Sequence, residues 1–326
     1  MSIIKKFSLP RLNLKIYRGR ENLMRARYML GINNCFAVKR FVKPEEWMKI
    51  VREVLELDIV QFSLDLLDPL LYSRSGRYEA YKVRANSEEY EVKIDTCFTG
   101  LAAYSFNLLG HPDPYVRADG LEWHLKAIEL TTIMGARGYG GHISALTMQD
   151  YEDRNRRKKM LERVIEGVKV LRRKSEEEGH EFLLWEPMPI AREPPHTIKE
   201  AEEILERANE GRGVPLKYCV DLGHTCAKDV RRREDRDPYE WLRRLARDIP
   251  VLHVQQTDGK GDRHWPFTEK YNRRGIIKPE KVLEALDEGG SKGTVLVFEI
   301  IHAFEESEKR VVDDLEKTVR YWKEYL

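Results

Sequence analysis

Nothing in the 326 residues approaches the roughly 18 consecutive apolar positions that a membrane-spanning helix requires, and the basic N-terminus lacks the apolar block of a signal peptide. A soluble, cytoplasmic chain with no membrane partner is expected. Cysteine is scarce. Cys35, Cys97, Cys219 and Cys226 lie far apart except for the last pair, whose spacing of seven matches no zinc or redox motif, so reduced thiols are expected. Neither sign of charge is in excess: 57 lysines and arginines face 55 acids, and a net charge of +2 gives no electrostatic footprint of a nucleic-acid binder. A small-molecule partner fits better. Also missing is a Gly-x-Gly-x-x-Gly turn after the first strand, which weighs against an open dinucleotide-binding sheet.

What is present is a large apolar fraction, 41%, and an unusually charged remainder, 34%, suited to surface ion-pair networks. Four short apolar runs stopped by an oxygen-bearing side chain stand out. Phe182-Leu-Leu-Trp-Glu-Pro-Met-Pro189 ends on Glu186, Leu216 to His224 passes through Asp221, Val251 to Asp258 through Gln255, and Thr294 to Glu299 ends on Glu299. Short apolar runs between breakers are what strands of a doubly covered parallel sheet look like. Met29 to Phe36, Leu57 to Ser63, Glu91 to Phe98 and Gly138 to Ile143 supply four more strands. Helices are expected after Lys43-Pro-Glu-Glu, over Tyr115 to Gly135, Asn155 to Gly179, Thr197 to Asn209 with Glu200 completing a capping box, Pro238 to Asp248, Pro279 to Asp287 and about Glu305 to Tyr325. Leu64 to Glu91 reads as one long connection over a site, and the run from Lys228 to Asp237 as a solvated loop.

Eight strand-helix units without a tight hairpin point to an α/β protein, a (β/α)8 barrel of residues 30–326 with long strand-to-helix loops, preceded by an extension of residues 1–29 that packs over it. In a barrel the loops after the strands share one face, so Glu186, Asp221, Gln255 and Glu299 converge. Three carboxylates and an amide form an oxygen-only shell for one hard divalent cation, Mn2+ or Mg2+, with Co2+ as a substitute.

The endings Glu186-Pro187, Asp221-Leu-Gly-His224, His253-Val-Gln255 and Phe298-Glu299 resemble those of the xylose isomerase-like TIM barrels, the sugar phosphate isomerase/epimerases, over roughly residues 30 to 325. The resemblance implies a metal held by Glu186, Asp221, Gln255 and Glu299, with Glu186 and Glu299 as the acid-base pair on opposite faces of a cis-enediolate. Gln255 stands where ketose 3-epimerases carry histidine and is similar to the hydroxypyruvate isomerase branch. The substrate implied is a sugar or sugar phosphate. Its contacts are expected from His224, three after Asp221; from His142; from Arg192, which sits where epimerases often carry another glutamate; and from the crowded loop of Asp258, Lys260, Arg263 and His264. His253 is expected on the opposite side of its strand from Gln255, either supporting the ligands from behind or simply packed, and Trp185 is expected to face the helices. Phe36, Phe98, Tyr104 and Trp265 are candidates for the pocket wall, whereas Asn33, Gln61 and Asp65 stand at strand ends without a distinguishing signal. A homo-oligomer, dimer or tetramer, is expected.

Three rivals share parts of this pattern. A lyase of the same barrel family, an inosose-type dehydratase or a C-glycoside-cleaving subunit, would use the same enolate chemistry with a leaving group on the next carbon. An abasic-site endonuclease would need a histidine-rich multi-metal cluster, and strands two and three end in Ser63 and Phe98. A non-enzymatic sugar-binding protein gives no reason to gather three carboxylates, whose repulsion only a cation relieves.

Overall fold

Eight parallel strands close into a barrel in chain order, each paired with the next and the last with the first. The computed structural model describes residues 28–226, 230 and 232–326. The strands are β1 Tyr28–Asn33, β2 Ile59–Ser63, β3 Lys93–Phe98, β4 Gly138–Gly141, β5 Phe182–Trp185, β6 Leu216–Asp221, β7 Val251–Val254 and β8 Thr294–Phe298. The main helices are α1 Pro44–Lys49, α2 Gly76–Glu89, α3 Pro114–Met134, α4 Arg154–Glu177, α5 Ile198–Ala208, α6 Pro238–Leu245, α7 Pro279–Glu288 and α8 Glu308–Lys323. The expected (β/α)8 barrel is therefore the fold. Most of residues 1–29, with the expected packing of that extension, and part of the charged run after Lys228 lie outside the described residues. No helix among the described residues is long and apolar enough to cross a membrane, and the four cysteines are unpaired.

Local chemistry explains the helix ends. Asp113 caps α3 by accepting from the Tyr115 and Val116 amides, Pro114 opens it, and Gly135 closes it at φ 76. Thr197 caps α5 by accepting from the Glu200 amide. The expected reciprocal bond is displaced: the Glu200 carboxylate accepts from the His196 amide, 3.1 Å, one residue earlier than a capping box requires. Helix α4 presents the expected charged face, with one exception. Arg172 is buried, and its guanidinium donates to the carbonyls of Val214, Ala208 and Gly213 around the turn that leads into β6. The stretch from Leu64 to Glu91 is no single loop, since α2 occupies half of it. That helix buries only Gly76, Ala80 and Val83, small residues beside exposed Tyr78 and Tyr81, so its apolar stripe is hard to see.

The period of two along each strand sorts the side chains into two cores. Phe182, Leu184, Cys219, Val251, Val295 and Val297 point into the barrel with Ile59 and Phe98. Leu183, Trp185, Tyr218, Val220, Leu252, Leu296 and Phe298 point outward against helix residues such as Ile204, Trp241 and Trp322. Trp185 faces the helices, as expected. On β4 the glycines serve the backbone: a Cβ on Gly140 would collide with the Leu184 carbonyl of the neighbouring strand. Continuing the inward set by one step on β5, β6, β7 and β8 gives Glu186, Asp221, His253 with Gln255, and Glu299. The barrel interior thus ends in a polar mouth.

Two histidines in the outer shell set an acid limit on stability. Burial lowers His124 to about 3 and His180 to about 4, against an ordinary value near 6.5. Both are neutral in the fold and charged when unfolded at mildly acidic pH. Their stability is fully present above about pH 6.5 and is lost as pH falls toward their folded values. Each costs about 2 kcal/mol between pH 7 and 5. Guanidinium unfolding at both pH values is expected to show a smaller acid loss, by about that amount, in His124→Gln. An equal loss in variant and wild type would remove His124 from this account.

Candidate active site

Glu186, Asp221 and Glu299 reach the axis from β5, β6 and the end of β8, and His253 rises between them from β7. Each offers one ligand atom, and these four atoms lie within 4.8 Å of one another. All four residues are buried. His253 Nδ1 stands 3.0 Å from Glu299 Oε2, 3.3 Å from Glu186 Oε1 and 3.8 Å from Asp221 Oδ2. Its Nε2 meets Gln61 Oε1 at 2.6 Å, which in turn accepts from Asn33 Nδ2 at 2.8 Å. Asn33 also donates to Glu299 Oε1 at 3.3 Å. The expectation that His253 faces away from Gln255 is corrected: residues two apart on a strand share a side, so both look into the barrel.

Gln255 sits one step nearer the mouth. Its Nε2 donates to Asp221 Oδ1 at 2.8 Å and Asp262 Oδ1 at 2.6 Å, while its Oε1 accepts from the Arg263 amide at 3.2 Å and from the His264 amide. Asp221 Oδ1 also accepts from the amides of Gly223 and His224, 2.6 and 3.1 Å, a local turn that presents Oδ2 inward. A Cβ on Gly223 would stand 2.5 Å from the Gln255 amide carbon, so any larger residue here would have to displace the Gln255 side chain.

A cavity of about 230 Å3 opens above the cluster, about eight water volumes, the scale of a small sugar. Tyr104, Glu193, His224, Asp262, His264 and Glu299 are among its lining residues, and no lysine or arginine is, among the described residues. Of the expected substrate contacts, His224 and His264 therefore reach the cavity. His142 lies behind it, its ring 5.0 Å from that of Tyr104 and its Nε2 3.2 Å from the Phe106 carbonyl oxygen. Arg192 does not line it; its neighbour Glu193 does. Asp258 and Arg263 pair with each other at 3.2 Å outside the wall, and Lys260 lies on the same outer loop. Of the four aromatics, Tyr104 lines the cavity, Phe98 packs 4.6 Å from the His253 ring, Phe36 joins the outer core, and Trp265 stacks on Tyr271.

Asp262 escaped the sequence reading. It holds a second group with His224 and His264, with Oδ2 at 3.3 and 2.9 Å from their Nε2 atoms. Both imidazoles turn Nδ1 toward a backbone carbonyl, of Pro187 at 3.2 Å and of Glu299 at 3.1 Å. The available signal was Asp262-x-His264, a carboxylate and an imidazole two apart in an extended loop after β7. Glu193 had no local signal, whereas Tyr104 was among the aromatics expected at the pocket wall.

Burial and charge oppose each other throughout the site. Burial lifts Asp221 to about 6, although His224 and His264 pull the other way. Burial would also lift Glu299, but His253 and His264 hold it below the usual carboxylate range. For His224, burial disfavours the imidazolium, yet Asp221, Asp262 and Glu186 raise it well above its ordinary value. His264 is raised to about 9 by Asp262, against its own burial. His142, buried without such a partner, falls to about 4, and Glu193 is pushed up to about 7 by burial.

The residues fit a divalent cation. Glu186 Oε1, Asp221 Oδ2 and His253 Nδ1 are buried, converge, and have no hydrogen-bond partner. The charged partners of the three carboxylates among the described residues are histidines, never a lysine or arginine. Such a cluster is expensive without positive charge at its centre.

The family model described as xylose isomerase-like TIM barrel matches residues 45–324. The chain belongs to that family. It is 25% identical over 301 residues to D-erythrulose 1-phosphate 3-epimerase of Brucella abortus, covering 91% of this chain and 96% of the relative. A crystal structure of a candidate xylose isomerase from Rhodospirillum rubrum superposes with a TM-score of 0.85 at 26% identity, covering 91% of this chain and 99% of that one. D-psicose 3-epimerase from Clostridium cellulolyticum, solved with D-tagatose, gives 0.69 at 15% identity, with 91% and 99% covered, and shows the fold alone. The isomerase class expected from the strand endings agrees with these relatives.

Proposed function

We propose that this chain is a divalent-cation-dependent isomerase or epimerase of a ketose or ketose phosphate, moving a proton through a cis-enediolate. The observation that carries the reading is the convergence of Glu186, Asp221 and Glu299 with His253 at the barrel mouth, beneath a sugar-sized cavity. The three carboxylates would hold Mn2+, Mg2+ or Co2+ together with a side chain from β7, His253 standing nearest and Gln255 one step outward. When bound, such a cation supplies positive charge to offset the negative charge that develops on the carbonyl oxygen.

The protein's own groups supply the proton chemistry. Glu186 and Glu299 enter the site from β5 and β8, so a sugar carbon between them meets a carboxylate on either face. One removes the carbon-bound proton, and the other returns one. Return to the opposite face of the same carbon inverts it, and return to the neighbouring carbon converts ketose to aldose. The low range of Glu299 keeps it ionised and ready to accept. His224 and His264, whose ring nitrogens are already turned to Asp262 and to the Pro187 and Glu299 carbonyls, bring positive charge to the cavity wall, while Glu193 and Asp262 offer acceptors to hydroxyls.

The test is metal-stripped and Mn2+-loaded protein incubated in D2O with four- to six-carbon ketoses, aldoses and their phosphates, followed by NMR. Both free and phosphorylated sugars belong in the panel, because the Brucella relative is named for a phosphate ester and the described wall has no lysine or arginine. Deuterium is expected at C3 for epimerisation, or at C1 or C2 for isomerisation, only with metal. Absence of exchange into every sugar would defeat the proposal.

A further inference from the structure

The two oxygens of Glu186 have different surroundings. Oε1 faces His253 Nδ1 at 3.3 Å and His224 Nδ1 at 3.5 Å and has no hydrogen-bond partner. Oε2 accepts from the Tyr104 hydroxyl. We propose that Tyr104 is a positioning residue, whose hydroxyl holds Oε2 of Glu186 aside so that a single oxygen, Oε1, faces the ligand cluster.

The support for Tyr104 is built into the loop that follows β3. Its one-turn helix, Ala102–Ser105, is fastened by Asp65, whose carboxylate accepts from the Leu101 amide at 2.7 Å and the Ala102 amide at 2.8 Å. Gly100 makes the approach at φ +75, and a Cβ there would stand 2.6 Å from the Asp65 carboxyl carbon. The phenol ring packs on buried His142, itself held by the Phe106 carbonyl. A tyrosine fixed at its turn, its ring and its hydroxyl leaves the carboxylate it binds little rotational freedom. Asp65 and Gly100, which share no sequence signal with Tyr104, thus shape the turn that carries its hydroxyl to Glu186. The effect on turnover rests on the reaction proposed above, whereas the effect on the carboxylate does not.

Tyr104→Phe keeps the ring and removes only the hydroxyl. In Mn2+-loaded protein, kcat is expected to fall about 10- to 100-fold with KM within about threefold of wild type. In Co2+-loaded protein, the visible spectrum is expected to change and the affinity to shift, because the released Oε2 is free to join Oε1. A raised KM with kcat intact would make Tyr104 a substrate contact and overturn the proposal. Superimposable Co2+ titrations, or no Co2+ bound by either protein, would overturn it as well. If the wild type exchanges no proton with any sugar, the isomerase reading falls, yet the Co2+ comparison still decides Tyr104.

Discussion

Glu299→Gln is expected to lower metal-dependent turnover by about 1,000-fold while leaving Mn2+ binding measurable. The amide matches the carboxylate in size and can still accept from Asn33 Nδ2, so the loop after β8 has no reason to move. What it cannot do is take a proton from carbon, and a positioned base accounts for about 100- to 10,000-fold in such reactions. The stereochemistry sharpens the test. If Glu186 and Glu299 serve opposite faces, the variant should still exchange deuterium slowly from the face that Glu186 serves, with no inverted product. Glu186→Gln should show the converse. Inverted product from Glu299→Gln at a rate within tenfold of wild type would show that the second acid-base group lies elsewhere, with Glu193 and His264 the next to test.

Asp221→Asn should act on the cation and hardly on the turn. The asparagine oxygen can keep the Gly223 and His224 amide bonds, whereas the inward atom Oδ2 loses its charge. Removing one charged partner of a buried cluster costs about 3 to 5 kcal/mol, or roughly 100- to 1,000-fold or more in Mn2+ affinity. The metal-free protein should respond in the opposite sense. Asp221, already lifted to about 6 by burial, is an unfavourable anion beside Glu186 and Glu299 when no cation is present. Neutralising it should therefore raise the melting temperature of the stripped protein and remove most of the rise that Mn2+ gives the wild type. Calorimetry with and without chelator reads both. A variant less stable than wild type in the stripped state would mean that Asp221 serves the turn more than a cation.

Much of the architecture was legible because its signals are local. Runs such as Phe182–Trp185 and Thr294–Phe298, short, apolar and bounded by breakers, fit doubly covered strands, and Thr197 and Gly135 mark helix ends by bonds within a few residues. The carboxylates were equally visible, since Glu186 and Glu299 come one residue after an apolar strand and Asp221 closes one. Helix α2 was not visible, because small and aromatic residues blur its buried face.

The order of elements and the alternation along each strand determined a barrel with Glu186, Asp221 and Glu299 at its mouth. Tertiary structure alone decided their company. His253 meets Gln61 across 192 residues and Tyr104 meets Glu186 across 82, with no periodicity linking either pair. Glu193 rather than Arg192 reaches the cavity, and Asp262 joins His224 and His264, because loops after different strands fold over one axis. Helices are written in bonds between near neighbours, and strands in the local alternation of their side chains. A site is written in contacts between loop residues whose positions depend on the closure of the whole barrel.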